Sequence, residues 1–98
     1  MGSAARRKPK RLAAKLLGIR TGLGLSQNGL IREMGFDDDL TQAQISMYER
    51  GVRQPPLLVL AAYAKAANIY VDVLIGDEVD LPQRLPAKLK SEGVKRRT

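Results

Sequence analysis

Residues 41–47 read Thr-Gln-Ala-Gln-Ile-Ser-Met. A glutamine carboxamide presents a donor beside an acceptor, the pair needed to bond adenine N6 and N7 together. A methyl-bearing or apolar side chain can meet the thymine methyl. Helical spacing would turn Gln42, Ala43, Ser46 and Met47 to one side and Ile45 and Tyr48 to the other, with Gln44 at the margin. A helix with such a face, propped by another helix, suits the major groove of DNA. Two duller readings stand beside this one. The face can be a solvated helix surface, and Thr41 with Gln44 also makes a capping box at a helix start.

Other elements must position that face. Leu25 to Gly51 holds two short segments, each opening with a hydroxyl residue followed by Gln and closing on a Gly. Ser26 reads as the cap of a second helix running to about Met34, with Leu30, Ile31 and Met34 inward and Gly35 as its stop. Gly29 weakens this helix. Phe36 to Leu40 forms the connection, and the third helix runs from Thr41 to Arg50 before Gly51. Upstream, a first helix is predicted from about Pro9 to Thr21, with Leu12, Leu16 and Ile19 on one face. Downstream, Pro56 opens a fourth helix over about Leu57 to Ala67, with Leu57, Leu60, Ala61 and Ala64 inward and Asn68 as the left-handed residue after it. A short fifth helix spans about Val71 to Ile75 and stops at Gly76. The fold class is therefore all-α. Beyond Asp77 the chain reads as an extended or disordered charged tail, with a short helix around Ala87 to Ser91.

Charge separates the chain into three parts. The net charge is +7 over 98 residues, but residues 1–15 carry +6, residues 84–98 carry +5, and the middle carries −4. Basic ends suggest a polyanion partner, and solvated solubilising tails are the alternative. Arg6, Arg7, Lys8, Lys10 and Arg11 form an arm ahead of the first helix. Arms of this kind follow the DNA backbone or enter the minor groove. The expected division is an arm over 1–8, a helical domain over 9–76 and a tail over 77–98.

The composition excludes several chemistries. With no Cys and no His there is no disulfide, thiolate or imidazole zinc site, thiol nucleophile or imidazole base. No Gly-rich phosphate loop occurs and no Ser has a base placed beside it, so an enzyme is not expected, nor a cofactor or metal. Asp37, Asp38 and Asp39 can be a solvated acidic loop or can repel phosphate and restrict docking; three adjacent carboxylates alone do not form a cation cage. The longest apolar run, Leu57 to Ala64, is too short for a membrane span, and no apolar stretch of signal-peptide length follows the basic N-terminus. The cysteine-free chain suits a reducing cytoplasm.

Leu16 to Ile75 resembles the lambda-repressor-like helix-turn-helix domain of phage repressors, Cro and XRE-type bacterial regulators. The residues that carry the likeness are Ile19-Arg20, Leu25-Ser26-Gln27, Leu30, Met34-Gly35, Gln44-Ile45-Ser46 and Tyr48-Glu49-Arg50-Gly51. Pro55, Leu57, Leu60, Ala64-Lys65-Ala66, Asp72 and Leu74-Ile75 complete the set. The resemblance implies a compact five-helix bundle that inserts its third helix into the major groove, usually as a homodimer. Gln42, Ala43 and Met47 match base-contacting positions, with Thr41 and Gln44 beside them. Gln27 matches a phosphate contact at the start of the second helix, where free backbone N–H groups favour an anion. Ser46, Arg50, Val52 and Arg53, with the Gly51 amide, match the region that meets the next phosphates. Arg20 and Glu49 match an ion pair between the first helix and the end of the third. Three features depart from the pattern: the five-residue acidic connection Phe36 to Leu40, Ile31 in place of a small residue, and Gly29 in place of a helix former.

The leading expectation is a sequence-specific regulator of transcription, a repressor, bacterial or phage-encoded, bound to double-stranded DNA in the cytoplasm and associated with the nucleoid. The alternatives are an antitoxin that inhibits a toxin through residues 77–98, and a protein-binding adaptor on the same fold. Dimerisation is expected through the last two helices or the tail, with Leu74, Ile75 and Val79 as candidates.

Overall fold

The computed structural model describes residues 8–90, which form five helices and no strand. They are α1 (Leu12–Gly22), α2 (Gln27–Met34), α3 (Gln42–Glu49), α4 (Leu57–Ala67) and α5 (Val71–Ile75). Local sequence sets most of their ends. Ser26 Oγ accepts the Gly29 N–H at 2.9 Å and opens α2, and Gly35, at φ +74°, closes it in the left-handed region that glycine enters without strain. Thr41 and Gln44 form the reciprocal capping box of α3. Asn68, at φ +55°, closes α4.

The core runs through the middle of the bundle. Leu16, Ile19, Leu30, Ile45, Tyr63 and Leu74 are all without solvent exposure. Helix α1 touches α3, α4 and α5, and α2 bridges α3 and α4. Leu12, Leu16 and Ile19 face inward as their spacing predicts, and so do Leu30 and Ile31. Helix α4 is rotated from the expected face. Val59, Leu60, Tyr63, Ala64 and Ala67 are buried, whereas Leu57 is 81% exposed. Eight consecutive apolar residues carry no periodicity, so packing rather than pattern chose the buried side.

Helix α1 begins at Leu12, later than Pro9 suggests. Its entrance is set from far along the chain. The Asp77 carboxylate accepts the Lys10 N–H at 3.0 Å and the Arg11 N–H at 3.1 Å. An anion at a helix N-terminus satisfies amides that have no intrahelical partner.

Residues 77–90, read from the sequence as extended or disordered, are extended and ordered against the bundle. They carry no helix, including at Ala87–Lys90, but they are packed into the bundle. Val79 and Ala87 are buried, and Leu81 and Leu85 pack against the core. The two leucines lie over Gly18 and Gly22 of α1. A Cβ on those glycines would approach Leu81 Cδ1 to 3.3 Å and Leu85 Cδ1 to 3.1 Å. The Ala87 N–H donates to the Ala67 carbonyl at 3.0 Å, and the Asn68 amide donates to the Ala87 carbonyl at 2.6 Å.

Lys15 fastens the same region from inside. Only 3% exposed, its ammonium donates to the carbonyls of Val73 (2.7 Å), Gly76 (2.7 Å) and Val79 (2.6 Å). Burial, and then the nearby Arg11, lower its pKa. Three converging acceptors nonetheless require all three N–H bonds of the charged form. Leu74 and Val79, expected at a dimer contact, are buried in this core; Ile75 alone of the three remains exposed.

Candidate nucleic-acid interface

Helix α3 lies across α1 and α2 and buries Ile45 and Tyr48 against them. That leaves Thr41, Gln42 and Ala43 exposed and Gln44, Ser46 and Met47 half-buried. The side chains expected to meet bases thus share the outer side of one short helix. Thr41, Gln42 and Ala43 are the more open of them. Gln44 is already engaged, because its Oε1 accepts the Thr41 N–H at 2.9 Å. Ser46 Oγ accepts Arg50 Nε–H at 3.2 Å, which holds the arginine along the helix.

The inner end of α3 is braced by one carboxylate. Arg20 donates Nε–H to Glu49 Oε2 at 2.6 Å and Nη2–H to Oε1 at 3.2 Å. Its third arm reaches the Leu25 carbonyl at 2.9 Å. The Glu49 side chain is 6% exposed and that of Arg20 18% exposed. The hydrogen bond to Glu49 holds the Arg20 pKa above its ordinary value. Gln27, expected on a phosphate, also donates its side-chain amide to Glu49 Oε1, at 3.1 Å. In this structure it therefore belongs to the brace as well as to the start of α2.

The long connection between α2 and α3 is a closed turn rather than a slack loop. The N–H groups of Asp39 and Leu40 both donate to the Phe36 carbonyl at 2.9 Å. Phe36 packs on the core and Leu40 is buried, so the turn is anchored at both ends. Asp37, Asp38 and Asp39 are left exposed on its outside. No group of acids among the described residues is arranged to hold a metal ion.

After α3 the chain turns through Gly51, at φ +74°. A Cβ there would sit 3.5 Å from that of Ala13, so this loop runs close against α1. Val52 and Arg53 are exposed, and the Arg53 side chain has no partner among the described residues. Lys8 and Lys10 lie across a cleft from this loop. Arg11, by contrast, points the other way: its guanidinium donates to the Asp77 carbonyl at 2.7 Å and to Asp80 at 2.6 Å. Arg6 and Arg7 lie outside the described residues.

Sequence reading missed three residues that set this geometry, namely Lys15, Asp77 and Asp80. Their partners stand dozens of positions away, and no local motif marks them. The only trace is an acidic cluster at 77–80 in a chain whose first fifteen residues carry six basic side chains and no acid.

Comparison with known proteins adds one finding. A family model described as helix-turn-helix matches residues 16–74, more than half of the chain. No curated protein and no solved structure matches it. No helix among the described residues is long and apolar enough to cross a membrane. On its matched span and its five-helix architecture, the chain belongs to the helix-turn-helix family in its lambda-repressor-like form, a DNA-binding regulatory domain.

Proposed function

We propose that this protein is a sequence-specific repressor of transcription that reads the major groove with the outer face of α3. The observation that carries the reading is the contrast between the two sides of that helix. Its inner side is fixed by Ile45, Tyr48 and the brace from Arg20 and Gln27 to Glu49. Its outer side presents Gln42 and Ala43 exposed, with Met47 half-buried beside them. Rigid support behind adaptable polar groups is what base readout requires. Thr41 and Gln44 lie at the same edge, and Ser46, Arg50, Val52 and Arg53 flank it as phosphate contacts. Lys8 and Lys10 extend the basic surface, and Arg6 and Arg7, outside the described residues, are assigned to the backbone by the basic character of the arm sequence.

Two copies on a two-fold site would present two such helices one DNA turn apart. In this reading the homodimer uses surface that the bundle leaves exposed, such as Ile75 with Val71 and Tyr70. A tail that inhibits another protein would have to use groups that 77–90 leave exposed, such as Leu89, or residues beyond 90, since Val79, Leu81, Leu85 and Ala87 pack into the core.

The test is selection of duplexes from a random pool by the full chain, followed by a gel shift on the selected sequence and on the gene's own promoter. A discrete complex that resists non-specific competitor supports the proposal. Enrichment of no sequence, with only salt-sensitive smearing, would remove the sequence-reading role.

A further inference from the structure

The cleft between the arm base and the loop after α3 belongs to neither element alone. It has a volume of about 200 Å³ and lies between residues 8–13 and residues 51–55, floored by the buried Tyr48. Lys8, Lys10 and Arg53 line it, and no acid does. Two carbonyls at the end of α3 are already taken. Met47 accepts from Val52 and Arg53, and Tyr48 accepts from Gly51. The free charges at the cleft are therefore all positive. Its size is below the roughly 300–1,000 Å³ of sites for small organic ligands, and suits a single phosphate group.

We propose that the arm base and the α3–α4 loop close together on one DNA backbone phosphate, with Lys10 on one side and Arg53 on the other, and that Asp77 seats the arm for this. The proposal rests on the reading of α3 as the helix that enters the groove, because the cleft adjoins the end of that helix. Asp77 acts as a positioning residue. Both of its oxygens accept the Lys10 N–H at 3.0 Å, and one accepts the Arg11 N–H at 3.1 Å. The bonds of Arg11 to the Asp77 carbonyl and Asp80 then turn its guanidinium away from the cleft. An acidic residue far along the chain thus fixes which basic residues of the arm face DNA.

The experiment measures binding of the full chain to a labelled random-sequence duplex by fluorescence anisotropy across a salt series. The variants are Lys10→Ala, Arg53→Ala, their combination, Asp77→Ala, and Glu78→Gln as a charge control. Circular dichroism at the assay temperature establishes that each is folded. Neutralising one phosphate accounts for a slope of about 0.9 in log K against log salt. With one shared phosphate, the cation left in each single variant still neutralises it, so the single variants lose little slope and the double variant loses about that much. Two separate phosphates would instead give the double variant a loss of about 1.8, with additive effects on affinity, and would overturn the shared site. Asp77→Ala separates seating from charge. Removing an acid near DNA tightens binding by simple electrostatics, as Glu78→Gln should, whereas loss of the seat weakens it severalfold. Tighter binding by Asp77→Ala overturns the positioning role. The exposed Lys10 and Arg53 keep the test informative should Asp77→Ala not fold. A wild-type chain that binds no duplex even at low salt would refute the DNA reading itself; binding with additive variants refutes only the clamp.

Discussion

Gln27 and Glu49 are joined across α2 and α3, the glutamine amide donating to the carboxylate at 3.1 Å. The same carboxylate holds Arg20 of α1 by two N–H groups. One nearly buried acid therefore collects three helices at the inner end of α3. Removing one member of such a pair leaves the other desolvated and unpaired, which costs about 3–5 kcal/mol when burial is complete. Arg20 keeps some solvent, so the lower end applies to Glu49→Leu. The Arg20→Met, Glu49→Leu double variant should lose less than either single change. Urea unfolding of all four chains gives the cycle, and an absence of coupling would show that the brace does not act as a unit.

Base reading and helix capping can be separated at neighbouring positions. Gln42→Ala should cost about 1–3 kcal/mol of specific DNA affinity and leave the melting temperature in place. Thr41→Ala removes a cap and should cost about 0.5–2 kcal/mol of stability. Calorimetry with anisotropy on the selected duplex distinguishes the two. Unchanged binding by Gln42→Ala would move the readout elsewhere on α3.

The Asp77 seat predicts a pH dependence. Hydrogen bonds from the Lys10 amide and then the Arg11 amide hold its carboxyl below the usual aspartate value of 3.8. A carboxyl with a depressed folded pKa gives stability that is complete above the unfolded value and fades as pH falls through the folded one. Asp77→Asn should therefore unfold with a flatter acid limb than the wild type, the two curves converging at the acid end. Parallel curves in an acid titration followed by circular dichroism would deny the residue this role.

Tyr63 offers the opposite sign. It is fully buried and its hydroxyl has no hydrogen-bond partner among the described residues. Burial accordingly pushes its pKa up. An unpaired buried hydroxyl costs about 1–3 kcal/mol, so Tyr63→Phe should be neutral or stabilising. A gain of about 1 kcal/mol would raise the melting temperature by roughly 4–8 °C in a domain of this size. A clear drop would reveal a partner for the hydroxyl.

The extent of the domain can be tested by truncation. A chain ending at residue 76 loses the acceptor at Val79, the Asp77 seat, and the packing of Val79, Leu81, Leu85 and Ala87. Fully burying one large aliphatic side chain contributes about 1.5–3 kcal/mol, against a total stability of about 5–15 kcal/mol. Residues 1–76 should therefore be marginally folded or unfolded, and residues 1–90 should melt as a cooperative unit. Equal melting of the two fragments would restore the boundary at residue 76.

The sequence by itself determined the parts whose causes are local. Ser26, Gly35, Thr41 with Gln44, and Asn68 mark helix ends because a side chain or a left-handed backbone satisfies groups only a few residues away. Periodicity placed Leu12, Leu16, Ile19 and the two sides of α3 for the same reason. Tertiary structure alone decided what depends on distant partners. It chose the buried face of α4, where unbroken apolar sequence gives no phase, and it placed Gln27 on Glu49. It also drew residues 77–90 onto α1, where Gly18 and Gly22 leave room for two leucines and Lys15 supplies a buried charge for three carbonyls. A lysine, two glycines and an aspartate have no distinctive pattern in a one-dimensional chain. Their meaning appears only when residues more than fifty positions apart come within bonding distance.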